Sequence, residues 1–170
     1  MMTSRVEKVM SSENPSSPPS ARHLPLLVLF LAIVLGAGIT IGILNTPGAW
    51  YEALRKPPFN PPNWVFAPVW TILYVMIAIA GWRTYLRGGN SRIMQIWYGQ
   101  MILNWVWSPL FFTLHYMWTA LGVITVMLYL ILNFIGGNWR ADRLSALLFI
   151  PYALWTGFAG LLNLSLALLN

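Results

Sequence analysis

The chain has 170 residues, of which 58% are hydrophobic and only 8% charged, and its net charge is +6. A soluble domain carries roughly a quarter charged residues, so this composition describes a chain built for a bilayer. Ten tryptophans are present and cysteine is absent, which excludes a disulfide framework, a thiolate zinc site, iron–sulfur ligation and a cysteine nucleophile.

Residues 1–22 are rich in Ser, Pro and Met, have no helical period and predict a disordered tail. Sparse arginine, with Glu7 and Glu13, argues against a transit peptide. Residues 23–170 predict an all-α integral membrane protein, a bundle of five transmembrane helices. The first span is expected over 23–44, about 30 Å of helix. It is too long for a usual signal core and lacks a small-residue cleavage site, so it reads as a retained span. Gly38 and Gly42 lie on one face, a close-packing surface for a neighbouring span or for a second subunit.

The loop 45–63 is the longest expected connection. It holds Trp50, Tyr51, Glu52, Arg55 and Lys56, with room for a short interfacial helix over Ala49–Arg55. Two Pro-Pro pairs follow, ending at Pro62. Proline fixes φ and removes a backbone donor, so this part reads as a stiff, extended lid. The second span, 64–83, opens at Trp64. Phe66, Trp70 and Tyr74 follow at i, i+4, i+8 and share a face.

The third span, 93–114, carries Gln100, Asn104 and Ser108 at the same spacing, with Trp107 and Phe111 beside them. Polar groups inside a bilayer face protein or a cavity, so these either join helices or meet a ligand. Pro109 predicts a kink or a local opening. The fourth span, 116–135, follows a very short turn at His115. The fifth, 142–169, begins at Asp142 as N-cap. On it Pro151, Tyr152, Trp155, Ala159 and Asn163 recur on one face.

The carboxylates Glu7, Glu13, Glu52 and Asp142 all lie outside the spans, so no intramembrane acid–base pair or oxygen-rich metal cage is expected. His23 and His115 are far apart in sequence, and no metal site is expected of them. The basic residues form no single cluster, so no nucleic-acid partner is expected. Arg5, Lys8, Arg22, Arg83, Arg87, Arg92, Arg140 and Arg143 fall on one side of the membrane, against Arg55 and Lys56 on the other. The positive-inside rule then predicts a cytoplasmic N-terminus, with the lid and the C-terminus on the opposite side. Trp50, Trp82, Trp97, Trp118 and Trp139, near span ends, read as interfacial belt residues. Trp70, Trp107 and Trp155 lie deeper, beside Tyr74, Asn104 and Tyr152. A mainly apolar pocket with a few fixed polar groups is expected between the second, third and fifth spans, under the lid.

Trp50-Tyr51 followed by Lys56–Tyr74, KPPFNPPNWVFAPVWTILY, resembles the signature of the translocator protein family, also called tryptophan-rich sensory proteins or peripheral-type benzodiazepine receptors. Gln100–Phe112 resembles its third-helix pattern and Ile150–Asn163 its last-helix pattern, so the resemblance runs from Trp50 to the end. It implies a five-helix fold that binds porphyrins, other tetrapyrroles, sterols or synthetic aromatic ligands. The implied roles are sensing, transport or regulation of tetrapyrrole levels. A porphyrin or haem-type tetrapyrrole is then a ligand, and no cofactor is required. The ligand-binding residues expected are Trp50, Pro62, Trp64, Phe66, Trp70, Tyr74, Gln100, Asn104, Trp107, Ser108, Tyr152, Trp155 and Ala159. Indoles suit the face of a porphyrin, and Arg55 or Lys56 its carboxylate edge. A homodimer is also implied, with Gly38 and Gly42 as contact residues. Family members are linked to light-dependent porphyrin breakdown, for which Trp70 and Trp155 are the matching tryptophans; no conventional catalytic residue is expected. No Lys or Arg follows Tyr152, so the sterol consensus of animal members is missing, which favours tetrapyrroles. A ligand-independent membrane scaffold is the remaining alternative.

Overall fold

The structure, a computed structural model, describes residues 23–170; the tail expected over 1–22 lies outside the described residues. Helix α1 covers Leu24–Leu44 and the short α2 Ala49–Ala53. A 3-10 turn, Asn63–Val65, leads into α3, Phe66–Gly88. Helix α4 covers Arg92–Ser108 and passes into a π-helical turn, Pro109–Thr113. Helices α5, Met117–Asn138, and α6, Arg143–Leu169, complete the bundle.

Helices α1, α3, α5 and α6 are each long and apolar enough to cross a bilayer. The expected third span differs. Helix α4 has 17 residues, about 26 Å, which falls short of a hydrocarbon core of about 30 Å. Four uninterrupted spans therefore replace the expected five. Pro109 is the physical cause: it has no N–H to give and its ring crowds the preceding turn. The backbone widens over the next five residues, with Leu114 N–H donating to the Pro109 carbonyl at 2.9 Å. His115 then turns the chain at φ 59°, a left-handed conformation that His enters more readily than bulkier residues. Its ring stacks on Trp50 at 3.9 Å, joining α2 to this corner.

Helix α5 packs between α4 and α6, while α1 lies on α3 and α3 on α6. Two glycines set the closest approaches. Gly38 is buried against the Tyr74 ring, so a side chain there would collide with it. The stripe weighed for a second subunit is thus occupied within the chain at Gly38. Gly81 lets Trp97 lie on α3, where its Nε1 donates to the Ile77 carbonyl at 3.1 Å.

Trp82 and Trp97 correct the belt reading, because both are buried in the core. The Trp82 Nε1 donates to the His23 carbonyl at 3.2 Å and fastens the start of α1. An indole N–H near a span end found a backbone acceptor inside the protein instead of a lipid headgroup. Trp118 and Trp139 do stand exposed.

Helix α3 continues to Gly88, beyond the expected end at 83. Arg83 and Arg87 explain the extension. Their aliphatic stems follow the helix while their heads reach Asp142, the cap of α6. Arg83 pairs with both Asp142 oxygens, at 3.0 and 2.9 Å. Arg87 lies 3.5 Å from the same carboxylate and also donates to Asn138. Ser145 Oγ donates to Asp142 at 2.6 Å. Burial alone would raise the Asp142 carboxyl, but hydrogen bonds from Arg83 and Ser145 and both arginine charges outweigh it and hold it below its ordinary value.

Gly81→Ala should therefore destabilise the bundle by about 1–3 kcal/mol through overpacking against Trp97, read as thermal unfolding in detergent. Asp142 gives a pH test. A depressed carboxyl contributes stability that is complete above its unfolded pKa, about 3.9, and is lost as pH falls through the folded value. The thermal midpoint should drop below about pH 4 in the parent protein, and this acid-sensitive component should be absent in Asp142→Asn.

Candidate functional site

A cavity of about 530 Å³ occupies the lid half of the bundle. Helix α3 supplies Phe66, Trp70 and Tyr74, as their common face requires. Helix α4 and its π-turn supply Asn104, Trp107, Ser108, Phe111 and Phe112. Helix α6 supplies Ala159, Leu162, Asn163 and Leu166, and α5 supplies Ile124 and Met127. Gly38, Ile39 and Gly42 of α1 form a further wall, and Thr46, Pro47, Tyr51 and Asn63 line the lid end, where Thr46, Pro47 and Asn63 are exposed. No charged side chain lines it among the described residues.

A line of hydrogen bonds holds these walls together. Tyr74 Oη donates to Asn104 Oδ1 at 3.0 Å. Asn104 Nδ2 donates to Tyr152 Oη at 3.1 Å, and Tyr152 Oη donates to Gln100 Oε1 at 2.8 Å. The line begins at the cavity and ends in the core, where the Gln100 Nε2 has no partner. A second tie runs from Trp107 Nε1 to Asn163 Oδ1 at 3.2 Å, and from Asn163 Nδ2 to the Met117 carbonyl at 2.9 Å. The Trp107 ring stacks on Phe111 at 5.2 Å. Trp70 lies 5.5 Å from Tyr74 and 6.3 Å from Tyr152, centroid to centroid.

The lid end is tied down. Tyr51 Oη donates to Asn60 Oδ1 at 3.2 Å. Burial pushes the Tyr51 phenol above its ordinary value, partly offset by that Asn60 bond. Arg55 N–H donates to Asn170 Oδ1 at 2.9 Å, and Asn170 Nδ2 returns a bond to the Arg55 carbonyl at 3.1 Å. Lys56 Nζ donates to the Glu52 carbonyl at 3.0 Å and lies 4.9 Å from the Tyr51 ring centre.

Of the residues expected to meet a ligand, Phe66, Trp70, Tyr74, Asn104, Trp107, Ser108 and Ala159 line the cavity. Gln100 and Tyr152 sit behind the wall, fully buried. Trp50 packs under the lid against His115 and Phe111. Pro62 and Trp64 are exposed beside α3 and do not line it. Trp155 turns to the outer side of the α3–α6 seam, into an open apolar groove of about 540 Å³ with Leu73, Met76 and Phe158. Its ring meets Phe66 edge-on at 5.8 Å. Gly42, weighed for a subunit contact, is exposed and lines the cavity. The α1 wall was missed because an evenly apolar helix shows no inner face. Asn163, placed on the common face of the last span but not among the ligand residues, and Tyr51 line the cavity as well.

Residues 29–169 match the TspO/MBR family. The chain is 36% identical over 145 residues to the tryptophan-rich sensory protein of Cereibacter sphaeroides, covering 85% of this chain and 91% of that one. It is 33% identical over 151 residues to protein CrtK of Rhodobacter capsulatus, covering 86% and 94%. It is 35% identical over 127 residues to the translocator protein of Bos taurus, covering 67% and 70%. The apolar helical bundle and these matches lead to one conclusion: the chain is an integral membrane protein of the TspO/MBR family.

Proposed function

We propose that the chain binds flat, mainly apolar tetrapyrroles, porphyrin above all, in the cavity between α1, α3, α4 and α6. The observation that carries this reading is the wall itself: Trp70, Tyr74, Trp107 and Phe66 around about 530 Å³, with fixed amides at Asn104 and Asn163. That volume falls within the roughly 300–1,000 Å³ of small-molecule sites. Trp70 offers a face for stacking. Among the described residues no cation lines the cavity, so a carboxylate edge belongs at its rim. There the Lys56 ammonium, beside the cavity residue Tyr51, has more donor capacity than its backbone contacts use.

The names of the relatives, sensory protein and translocator protein, favour sensing or movement of such a ligand. Sterols are the poorer fit, since no cation follows Tyr152. Light-driven porphyrin breakdown is the second reading, favoured by Trp70 on the cavity wall. Trp155 would contribute only across Phe66. A homodimer belongs to this reading, with its contact away from Gly38. The orientation proposed is N-terminus cytoplasmic, since Arg83, Arg87, Arg92, Arg140 and Arg143 gather at the end opposite Arg55 and Lys56.

Protoporphyrin titrated into detergent-purified protein should quench tryptophan emission saturably; no quenching favours the scaffold. Trp70→Ala removes a stacked ring, about 1 kcal/mol, and roughly 2 kcal/mol of apolar contact. Binding should weaken tenfold or more, since about 1.4 kcal/mol is tenfold. Trp139→Ala, at the far end of α5, should leave affinity unchanged, and Trp155→Ala should alter it far less than Trp70→Ala. Illumination of the complex separates binder from degrader: pigment loss that survives Trp70→Ala with ligand still bound removes the tryptophan route. A C-terminal reporter active only in the cytoplasm would reverse the orientation.

A further inference from the structure

The end of the bundle opposite the lid carries five arginines, Arg83, Arg87, Arg92, Arg140 and Arg143, against one carboxylate, Asp142. Packing gathers them. Arg83 and Arg87, one turn apart on α3, both reach Asp142 at the start of α6. The Ile93 side chain of α4 presses on Gly137, which brings the neighbouring Arg92 to the end of α5. The Arg143 guanidinium lies over Trp139, 5.4 Å from the ring centre. The sequence before His23 holds Arg5, Lys8 and Arg22 with Glu7 and Glu13, so it adds to the positive excess.

The excess is sharpest where water is scarce. The side chains of Arg83 and Arg87 are only 26% and 30% exposed, and they share a single carboxylate. Arg83 spends two N–H groups on Asp142 and Arg87 one on Asn138, which leaves most of their donors unspent. A cation taken largely out of water without an anion of its own is costly. The pair therefore leaves one positive charge for a second anion to neutralise, and its remaining exposure lets that anion in. The surroundings say what carries the anion. Leu144 and Leu147 follow Arg143 on α6 and are exposed. Leu147 stands one turn from Arg143 on the same face, so the charged end passes directly into an apolar outer surface. A free phosphate would use only the charge; a phospholipid uses both.

We propose that this end of the bundle binds an anionic phospholipid, its phosphate on the unspent N–H groups of Arg83 and Arg87, flanked by Arg143, with an acyl chain along Leu147. Guanidinium and phosphate form strong, two-pronged hydrogen bonds, and basic groups between helix ends suit anionic headgroups. The lipid supplies the second anion and leaves Asp142 in place. Arg92 and Arg140, both exposed, attract it from the leaflet. The site is independent of the cavity, which lies in the lid half of the bundle.

Native mass spectrometry tests this on protein purified in an uncharged maltoside detergent and mixed with dioleoyl phosphatidylglycerol or dioleoyl phosphatidylcholine. The phosphatidylglycerol should be retained about tenfold more tightly. Arg87→Gln should weaken its retention by about fivefold or more, whereas Arg55→Gln at the lid end should not. Should Arg87→Gln fail to fold, Arg143→Gln, at an exposed position, carries the same expectation. Asp142→Asn should have the opposite sign and tighten retention, because the lipid phosphate no longer shares its cations, even though the same change loosens the fold. Equal retention of the two lipids overturns the proposal, as does undiminished retention in Arg87→Gln or Arg143→Gln. Weaker retention in Asp142→Asn overturns it too, since the arginines would then serve only the carboxylate. Displacement of the lipid by millimolar inorganic phosphate would make this a site for free anions and overturn the lipid assignment.

Discussion

Inside a bilayer an amide or hydroxyl that loses its partner has no water to replace it, and each such loss costs about 1–3 kcal/mol. The line Tyr74–Asn104–Tyr152–Gln100 meets that constraint across three helices, save at its buried end, the Gln100 Nε2. It fixes the rotation of α3 against α4 and of α4 against α6, because each bond demands one helix face. The rest of the site follows. With Tyr74 turned toward Asn104, Trp70, one turn away on the same face, must look into the cavity. With Tyr152 held at Asn104, the same face of α6 brings Ala159 and Asn163 to the opposite wall. Phe66 and Trp70 are thus positioned by polar bonds that they do not themselves make.

The same geometry separates two surfaces that share a seam. On the inner side of the α3–α6 contact lies the cavity; on the outer side lies the groove with Trp155. Phe66 and Trp155 meet edge-on between them. Two tryptophans that look equivalent by sequence therefore differ in what they can touch. Trp70 adjoins anything held inside, whereas Trp155 turns to the outer groove, its indole N–H buried without a partner.

How much of this was legible in the sequence depended on how each residue is held. Spacing on one helix was enough for Phe66, Trp70 and Tyr74, because i, i+4, i+8 geometry is local. The opening at Pro109 was equally local. The polar stripe on α4 was read as either helix-joining or ligand-facing, and it divides between the two: Gln100 ties helices, Ser108 lines the cavity, and Asn104 does both. What failed was the reading of single tryptophans whose hydrogen-bond partners lie elsewhere in the bundle. Trp82 and Trp97 looked interfacial from their positions, but their acceptors, the carbonyls of His23 and Ile77, lie on other helices. The inner face of α1 is marked only by Gly38 and Gly42, since apolar residues surround it on all sides, and that pair alone does not say whether a span or a second subunit packs there.

The shortness of α4 has a mechanical consequence. A helix that falls a few ångströms below the hydrocarbon thickness must be met by a thinner bilayer or by stretching of its own end, each at a fraction of a kcal/mol per Å. Here the end that would stretch is the π-turn, and it carries Phe111 and Phe112, two of the cavity's rings. A bilayer thicker than α4 would therefore act first on the turn that carries two cavity rings, which makes membrane thickness a variable of cavity shape.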